Sequence, residues 1–350
     1  MFVLMGDGEE LVSGMALLGP ELEVRSVTLV IRDGIIAAVE EETSGGGPWI
    51  CPAFFNAHTH LGDTVAMDLP SGGSLEELVT PPDGLKHRIL AATPPGRLVE
   101  GMRASISYMQ ASGTGGFADF REGGTAGVGQ LRTASEGFPG TVFIFGREGG
   151  ERVAEGLGIS SARDVPALEE KVAAARAEGK KVAFHAGERD ALDIDAALSY
   201  EPDLLVHCTH ATPAQVRACA DRGIPIAICA RSNWKLGVTR SGRNPPIDLM
   251  EKTGCTLMLG TDNVMFVQPD MWREMEFVSR IYDLPPERIL SAAVRGSAYF
   301  DTPWYLEKGN KARFFLIDPT HSNLRFSRDI FSTLVNRAGL HDIVKKVFYS

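Results

Sequence analysis

The segment NAHTH at residues 56–60 places His58 and His60 two residues apart at the end of a short apolar run. In an extended strand, residues two apart project to the same side, so both imidazoles can face one ion. Neutral imidazole nitrogens are common ligands of Zn²⁺ and of other divalent transition metals. An isolated His-x-His pair also occurs at strand ends without a metal, so its interpretation depends on the other histidines.

Three further segments end apolar runs with side chains of similar chemistry. They are FHAGE at 184–188, VHCTH at 206–210 and LGTDN at 259–263, which contain His185, Glu188, His207, His210 and Asp262. Five of the eight histidines therefore lie at such ends. If the runs are parallel strands of a barrel, their carboxyl ends meet at the face that carries the active sites of barrel enzymes. Histidines that are hydrogen-bonded within a core are the alternative for any single one of them.

The apolar runs alternate with amphipathic segments from residue 49 onward, which predicts parallel strands joined by helical connections. Eight strands are predicted, at 49–57, 115–120, 141–145, 156–159, 181–185, 204–207, 224–229 and 256–260. This count and alternation predict an α/β fold of the (β/α)₈ TIM-type barrel class. The fourth strand has the weakest pattern, because few residues are available for it.

Both chain ends have a β-pattern outside these eight strands. Residues 24–41 contain two β-rich runs separated by Arg32-Asp33-Gly34, which is a hairpin signal, and a glycine-rich segment follows at 44–47. Residues 309–318 return to a β-pattern, so we expect the C-terminal part to join the N-terminal β-structure. The predicted division is an N-terminal β part at 1–48, the barrel at 49–307 and a C-terminal β part at 308–350.

Residues 61–96 form a long connection, rich in Gly and Pro, between the first predicted strand and the next helix. A connection of this length in a compact domain is usually a lid or a pocket wall. Because it follows the two histidines directly, we expect it to border the site.

The composition excludes several other classes of protein. The formal net charge is −10, and no Lys/Arg cluster is present that could follow a phosphate backbone, so nucleic acid is not expected as a partner. No apolar run reaches the length of a membrane helix, and the first twenty residues lack a signal-peptide pattern. The five cysteines lack CxxC spacing, which is typical of buried thiols in a reducing compartment. We therefore expect a cytoplasmic protein.

Five motifs together resemble the amidohydrolase superfamily, and specifically the branch that contains cytosine deaminase and the triazine chlorohydrolases and aminohydrolases. They are CPAFFNAHTH at 51–60, FHAGE at 184–188, LLVHCTH at 204–210, CARSNWKL at 229–236 and LGTD at 259–262. They occur in the order and at the strand ends that the family uses, and the resemblance covers nearly the whole chain. It implies a (β/α)₈ barrel with a small composite β-sandwich made from both chain ends.

The resemblance implies one divalent metal ion with a mixed set of nitrogen and oxygen ligands. The implied ligands are His58, His60, His185 and Asp262. This set suits Zn²⁺ and would also accept Fe²⁺ or Mn²⁺, and such an ion lowers the pKa of bound water to about 7. A two-metal site bridged by a modified lysine is not expected, because no lysine occurs between Arg147 and Glu170.

The resemblance also implies a set of catalytic roles that the residues could fill by their own chemistry. Asp262 would take a proton from water, and His207 would orient the hydroxide or polarise the attacked centre. Glu188 would carry a proton to a ring nitrogen and then to the leaving group. His210 would either support this site or cap the following helix.

The predicted function is a metal-dependent hydrolase that releases ammonia from an aminated nitrogen heterocycle, such as a purine, pyrimidine, pterin, triazine or nucleoside. Hydrolysis of a cyclic, imidazolone-like amide, or removal of another ring substituent, is the alternative among enzymes. A non-catalytic scaffold is the alternative from a different class, and the presence of all the implied ligands and catalytic groups disfavours it. A small-molecule substrate is the expected partner, and a homodimer is left open.

Other polar residues at predicted strand ends have two interpretations each. Arg121 and Glu122 after the second strand, Arg147 after the third and Trp234 after the seventh could contact substrate. Surface ion pairs are the alternative for the charged residues, and a packed aromatic ring is the alternative for Trp234.

Overall fold

The computed structural model describes residues 2–4, 9–43, 45–68, 73–80, 83–239, 244–301 and 303–349. The described strands form two sheets, one mixed and one parallel. Within the described ranges, no helix combines the length and the apolar character needed to cross a bilayer.

The mixed sheet is built from both ends of the chain. Its strands are β1 (Phe2–Leu4), β2 (Glu9–Leu18), β3 (Glu23–Arg32), β4 (Ile35–Glu41), β5 (Trp49–Pro52), β15 (Arg313–Ile317) and β16 (Ile343–Phe348). They lie in the order β16-β15-β5-β2-β3-β4, with β1 beside β2. The Asp33-Gly34 turn joins β3 to β4 with φ angles of 50° and 75°, which Asp and Gly tolerate best. One sheet made from both chain ends is therefore confirmed, whereas the second layer of a sandwich stays a prediction.

The parallel sheet contains the strands that carry the predicted site. They are β6 (Phe54–His60), β7 (Thr114–Arg121), β8 (Thr141–Gly146), β9 (Gly156–Ile159), β10 (Lys181–Ala186), β11 (Leu204–His207), β12 (Ile226–Ile228), β13 (Leu257–Leu259) and β14 (Asp262–Asn263). From β6 to β13, strands that are consecutive along the chain are adjacent in the sheet. β14 pairs in parallel with β6. The sheet therefore curls until its last strand lies beside its first.

Helices connect the strands and cover the outer face of the curled sheet. The α-helices are α1 (Leu75–Val79), α2 (Leu85–Ala92), α3 (Pro95–Ala111), α4 (Gly124–Ala134), α5 (Leu168–Ala177), α6 (Leu192–Leu198), α7 (Pro213–Asp221), α8 (Ala230–Lys235), α9 (Ile247–Thr253), α10 (Met271–Ile281), α11 (Pro286–Val294), α12 (Gly296–Phe300) and α13 (Ile330–Asn336). Short 3₁₀ helices lie at Leu61–Ala66, Gly150–Arg152, Pro319–His321, Asn323–Phe326 and Leu340–Asp342. Local sequence sets the start of α7, where Thr212 and Gln215 form a capping box around Pro213.

Side chains on the two faces of the parallel strands form separate cores. Alternate residues such as Phe55, Phe120 and Phe145 belong to one buried cluster that fills the inside of the curled sheet. Residues of the opposite parity, such as Phe184 and Leu205, pack outward against the helices. Burial on both faces explains why the strands are apolar runs with no polar alternation.

The predicted first strand, 49–57, is two strands in the structure. Trp49–Pro52 pairs with β2 and β15 in the mixed sheet, and Phe54–His60 begins the parallel sheet. The chain changes sheets at Ala53, whose N–H donates to Arg313 O, while the N–H of Phe54 donates to Gly113 O. The weak fourth strand at 156–159 is confirmed as β9.

Candidate active site

The four side chains predicted to bind metal converge from three strands. His58 and His60 lie on β6, His185 on β10 and Asp262 on β14, and all four are buried. Asp262 Oδ1 lies 3.1 Å from His58 Nε2 and 3.6 Å from His60 Nε2. The Nε2 atoms of His60 and His185 are 3.2 Å apart. The structure therefore brings together donors that are up to 204 positions apart in the sequence.

An irregularity in β6 helps to aim the two histidines inward. The pairing of β6 with β7 shifts register between Asn56 and Thr59, as at a β-bulge. Ala57 belongs to the interior cluster, and the ring of the next residue, His58, lies 4.5 Å from the ring of Phe120 in that same cluster. A bulge re-aims side chains in this way, and the alternation of a regular strand does not predict it.

Three separations between these donor atoms are close to those around a single small cation. Two ligand atoms that lie about 2.0–2.2 Å from one tetrahedral Zn²⁺ are about 3.3–3.6 Å apart. The corresponding separations here are 3.1, 3.2 and 3.6 Å. The donor atoms form two overlapping trios within 4.8 Å, His58 with His60 and Asp262, and His58 with His185 and His207. The chemistry of the donors, imidazole nitrogens and one carboxylate, fits the same ion.

A hydrogen-bond partner sets the tautomer of His185. His185 Nδ1 lies 2.9 Å from the carbonyl oxygen of Ile159 and can only donate to it, so its Nε2 carries a lone pair. That lone pair faces His60 Nε2 at 3.2 Å. His60 Nδ1 lies 3.0 Å from Glu122 Oε1, a charge contact without the alignment of a hydrogen bond.

Burial keeps the imidazoles neutral, as metal ligation requires. It lowers the pKa of His58 to about 4 and that of His60 to about 3. Burial also lowers the pKa of His185 well below its usual value. Burial alone would raise the pKa of Asp262, but the hydrogen bond with His58 and the neighbouring imidazoles hold that pKa well below its usual value. At neutral pH the site therefore offers three neutral nitrogens and one carboxylate.

Asp262 is held in place by its backbone and by a hydroxyl group. Its φ angle is 60°, in the left-handed region that Asp and Asn adopt more readily than other non-glycine residues. Ser232, in the motif 229–236, donates from Oγ to Asp262 Oδ2. The sequence analysis considered Trp234 of this motif for substrate contact, whereas in the structure it is Ser232 that contacts the Asp262 carboxylate.

The two other predicted catalytic residues lie together beside the four donors. His207 Nε2 is 3.6 Å from Glu188 Oε2, and the His207 ring lies 5.4 Å from the His185 ring. Burial raises the pKa of Glu188, so its carboxyl group accepts a proton more readily than an exposed glutamate does. His207 can also reach the cation, since its donor atom lies within 4.8 Å of those of His58 and His185.

One cavity gives access to these groups. Its lining includes three of the donors, His60, His185 and Asp262, together with Glu188 and His207. The long connection at 61–96 is not a bare loop but contains a 3₁₀ helix, α1 and α2. It contributes Leu75, Val79, Thr80 and Lys86 to the cavity wall, which confirms that the connection borders the site.

A cluster of buried charges adjoins the donors on the side of His60. Glu122 Oε1 lies 2.8 Å from Lys86 Nζ and 3.1 Å from Arg147 Nη1. Glu122 Oε2 lies 2.5 Å from Arg121 Nη2. All four side chains of this group are at least nine-tenths buried, so the interpretation as surface ion pairs is wrong. Lys86, on α2, reaches this group from the connection that was expected to border the site.

The charged groups of this cluster stabilise one another in their ionised forms. Burial would raise the pKa of Glu122, but Lys86, then His60 and Arg121, lower it well below its usual value. Burial would lower the pKa of Lys86, but the carboxylates of Asp63 and Glu122 raise it above its usual value. Lys86 and Asp63 lie in the connection 61–96 that was expected to border the site, but no motif singled out either residue.

Two further candidates lie away from the donors. Trp234 is 48% exposed and packs edge-on against Phe277, as expected for a packed aromatic ring. His210 Nδ1 lies 3.3 Å from Asn244 Nδ2, and neither residue is part of the described cavity lining. Thr212, and not His210, caps α7.

Comparison with known proteins places the chain in a family. The model of the amidohydrolase family matches residues 49–338. A provisionally assigned aminohydrolase of Methanothermobacter thermautotrophicus is 34% identical over 376 residues, covering 95% of each chain. The 5-methylthioadenosine/S-adenosylhomocysteine deaminase of Halobacterium salinarum is 26% identical and covers 72% of this chain and 68% of its own.

A solved structure shows the same fold. The atrazine chlorohydrolase of Arthrobacter aurescens TC1, complexed with zinc, superimposes with a TM-score of 0.76 at 17% identity, over 97% of this chain and 96% of its own. The chain therefore belongs to the amidohydrolase family. It is a hydrolase that acts on carbon–nitrogen bonds other than peptide bonds, and its cluster of His and Asp donors supports a divalent metal.

Proposed function

We propose that this chain is a metal-dependent deaminase that releases ammonia from an aminated nitrogen heterocycle. The observation that carries the proposal is a pair of buried donor trios that share His58, one with His60 and Asp262 and one with His185 and His207, beside Glu188 at the same cavity. A site of this kind combines a cation with groups that can move protons, which hydrolysis of an amino-substituted ring carbon requires.

The proposed ligands are His58, His60, His185 and Asp262, with Zn²⁺ as the favoured ion and Fe²⁺ or Mn²⁺ as alternatives. When bound, such an ion supplies hydroxide at neutral pH by lowering the pKa of water to about 7. The protein's own contribution is to keep the imidazoles neutral by burial and to fix the carboxylate through Ser232.

Glu188 and Asp262 are proposed to move the protons. In the overall reaction, a carbon–oxygen bond forms at the amino-bearing carbon, the carbon–nitrogen bond breaks, and the ring retains a carbonyl group. Water supplies two protons. Glu188 carries one of them to a ring nitrogen, and Asp262 accepts the other, which Glu188 then carries to the departing amine so that ammonia leaves. Burial raises the pKa of Glu188, which suits a carboxyl group that must both take up and release a proton. His207, beside Glu188, is placed to donate to the oxygen that develops charge.

The names of two relatives support deamination as the reaction. The provisionally assigned aminohydrolase and the 5-methylthioadenosine/S-adenosylhomocysteine deaminase both remove amino groups by name. We therefore favour a purine, pyrimidine, pterin or nucleoside substrate and a small-molecule partner.

The test is ammonia release from a panel of aminated purines, pyrimidines, pterins and nucleosides by Zn²⁺-loaded protein. Asp262→Asn is the inactive control, because it removes a ligand and a proton acceptor with little change in volume. We expect ammonia from at least one substrate with wild-type protein and none with the variant. Ring-opened acid without ammonia, from the same panel extended to cyclic amides, would replace deamination with amide hydrolysis.

Further parts of the proposal concern architecture and setting. We infer a closed (β/α)₈ barrel at 49–307, supported by the pairing of β14 with β6, and a composite sandwich from residues 1–48 and 308–350. A cytoplasmic location is supported by five buried cysteines that all remain free thiols. We also propose a homodimer. Size-exclusion chromatography with light scattering would test this oligomeric state.

A further inference from the structure

Glu122 is the centre of a contact network that reaches the proposed metal site without entering it. Its Oε1 atom lies 3.0 Å from His60 Nδ1, on the edge of the ring opposite the Nε2 that faces His185. The two atoms are in charge contact but are not aligned as a hydrogen bond. A carboxylate beside Nδ1 favours a proton on that nitrogen and increases the basicity of Nε2. Glu122 therefore contacts His60 at the edge of the ring from which it can influence the proposed ligand atom.

Three cations hold the Glu122 carboxylate in this position. Lys86, Arg121 and Arg147 approach it at 2.5–3.1 Å, and each of these side chains is at least nine-tenths buried. Gly62 leaves the space for the Arg121 guanidinium, because a Cβ at residue 62 would lie 2.4 Å from Arg121 Nη2. A clamp of this kind leaves the carboxylate little freedom to rotate away from the imidazole.

Stability alone does not account for this arrangement. The cost of desolvating buried ions offsets much of their mutual attraction, and apolar residues of similar volume often replace such clusters without loss of stability. The network lies between α2 and the donor side chains, which indicates a role in the site.

Lys86 links the network to the long connection at 61–96. It lies on α2, lines the cavity, and bridges Glu122 at 2.8 Å and Asp63 at 2.9 Å. Asp63 belongs to the 3₁₀ helix that directly follows His60 on the chain. Lys86 thus joins the cavity wall to both the carboxylate behind His60 and the segment that leaves β6.

We propose that Glu122 is a positioning residue that orients His60 for metal binding, and that Lys86 acts through Glu122 to couple α2 to the metal centre. This inference rests on the proposed function, because it requires His60 to be a ligand. It adds two residues that the sequence motifs of the site do not contain.

The test measures Zn²⁺ affinity by competition with a chromophoric chelator, which needs no substrate. We expect Glu122→Gln to weaken binding about 10–100-fold, the range typical for a lost partner of a ligating histidine. Lys86→Met should weaken binding in the same direction. In the Glu122→Gln background, Lys86→Met should change the affinity by less than about twofold, because Lys86 acts through the carboxylate.

Glu274→Gln is the matched control. Glu274 is a fully buried carboxylate paired with Arg231 at 2.6 Å, and its described contacts include none of the four donors. It should bind Zn²⁺ within about twofold of wild type. The visible absorption of Co²⁺-loaded protein gives a second readout, which should shift in Glu122→Gln and Lys86→Met but not in Glu274→Gln.

The outcomes separate the inference from the proposed function. Wild-type Zn²⁺ affinity in folded Glu122→Gln would overturn the inference and leave the proposed function intact. If Glu122→Gln does not fold, an unchanged affinity and Co²⁺ spectrum in Lys86→Met would overturn the coupling to α2. Wild-type protein that binds no Zn²⁺ would overturn the proposed function and the inference together.

Discussion

The absence of a side chain at Gly260 allows the segment between β13 and β14 to lie close to His58. Gly260 lies between β13 and β14, and a Cβ at this position would be 2.7 Å from His58 Cβ and 2.9 Å from His58 N. Both atoms belong to the core of a strand that is fully buried, so neither can move as the end of a flexible side chain would. We therefore expect Gly260→Ala to separate β6 from the β13–β14 segment.

The size of the effect follows from the contact distances. Ordinary contact with a Cβ begins at 3.4 Å, so the strands must move apart by about 0.7 Å, the difference between 3.4 and 2.7 Å. Overpacking of this kind costs about 1–3 kcal/mol of folding free energy. The shift also exceeds the tolerance of about 0.5 Å for a functional constellation, so His58 and Asp262 would lose their mutual geometry. We expect Zn²⁺ affinity to fall by at least about 10-fold, which equals about 1.4 kcal/mol.

Two measurements check this expectation. Denaturant unfolding without metal gives the packing cost, and the added stability at a fixed excess of Zn²⁺ gives the loss of affinity by linkage. Gly129→Ala is the control: Gly129 is exposed on α4, and no described atom lies within 4 Å of a Cβ there. It should gain about 0.5–1 kcal/mol, as glycine replaced by alanine within a helix does. Wild-type stability and Zn²⁺ affinity in Gly260→Ala would refute the reasoning.

Three other substitutions test the site and its supports. Glu188→Gln should lower kcat by about 10²–10⁴-fold, because it removes a proton carrier. Its Zn²⁺ affinity should be unchanged in chelator competition, and a parallel loss of Zn²⁺ would instead make Glu188 a ligand. Ser232→Ala should weaken Zn²⁺ binding by about 10–100-fold, because it frees Asp262 Oδ2, and unchanged affinity would show that the backbone alone orients the carboxylate. Asn56→Ala should lower the free energy of unfolding in urea by about 1–3 kcal/mol. The buried Asn56 amide accepts from Thr261 N at 2.9 Å and donates to Thr261 Oγ1 at 2.7 Å. Unchanged stability would contradict that role.

The strands that carry the site could be predicted because their apolar runs are local signals. Polar residues at the carboxyl ends of such runs must meet at one face of a barrel, whatever the details of its packing. This rule alone predicts that His58, His185 and Asp262 lie at the same face of the barrel. The break of the first strand at Ala53 was missed, although Pro52 directly before it is a local signal of a strand end. The change of sheet itself depends on pairing with β15, far along the chain.

The residues that support the site were harder to predict from the sequence. Lys86 follows no strand, and its partner Glu122 lies 36 positions later, so only the packing of α2 reveals the pair. The bulge in β6 depends on its register with β7, which no local pattern encodes. Propensity and periodicity describe single elements, whereas these features arise between elements.

Anomalous diffraction at the zinc edge from crystals of Zn²⁺-loaded protein tests the central claim most directly. The account predicts one peak per chain, with His58 Nε2, His60 Nε2, His185 Nε2 and Asp262 Oδ1 each at about 2.0–2.2 Å. A peak ligated by His58, His185 and His207 without Asp262, or a peak away from this cavity, would contradict it.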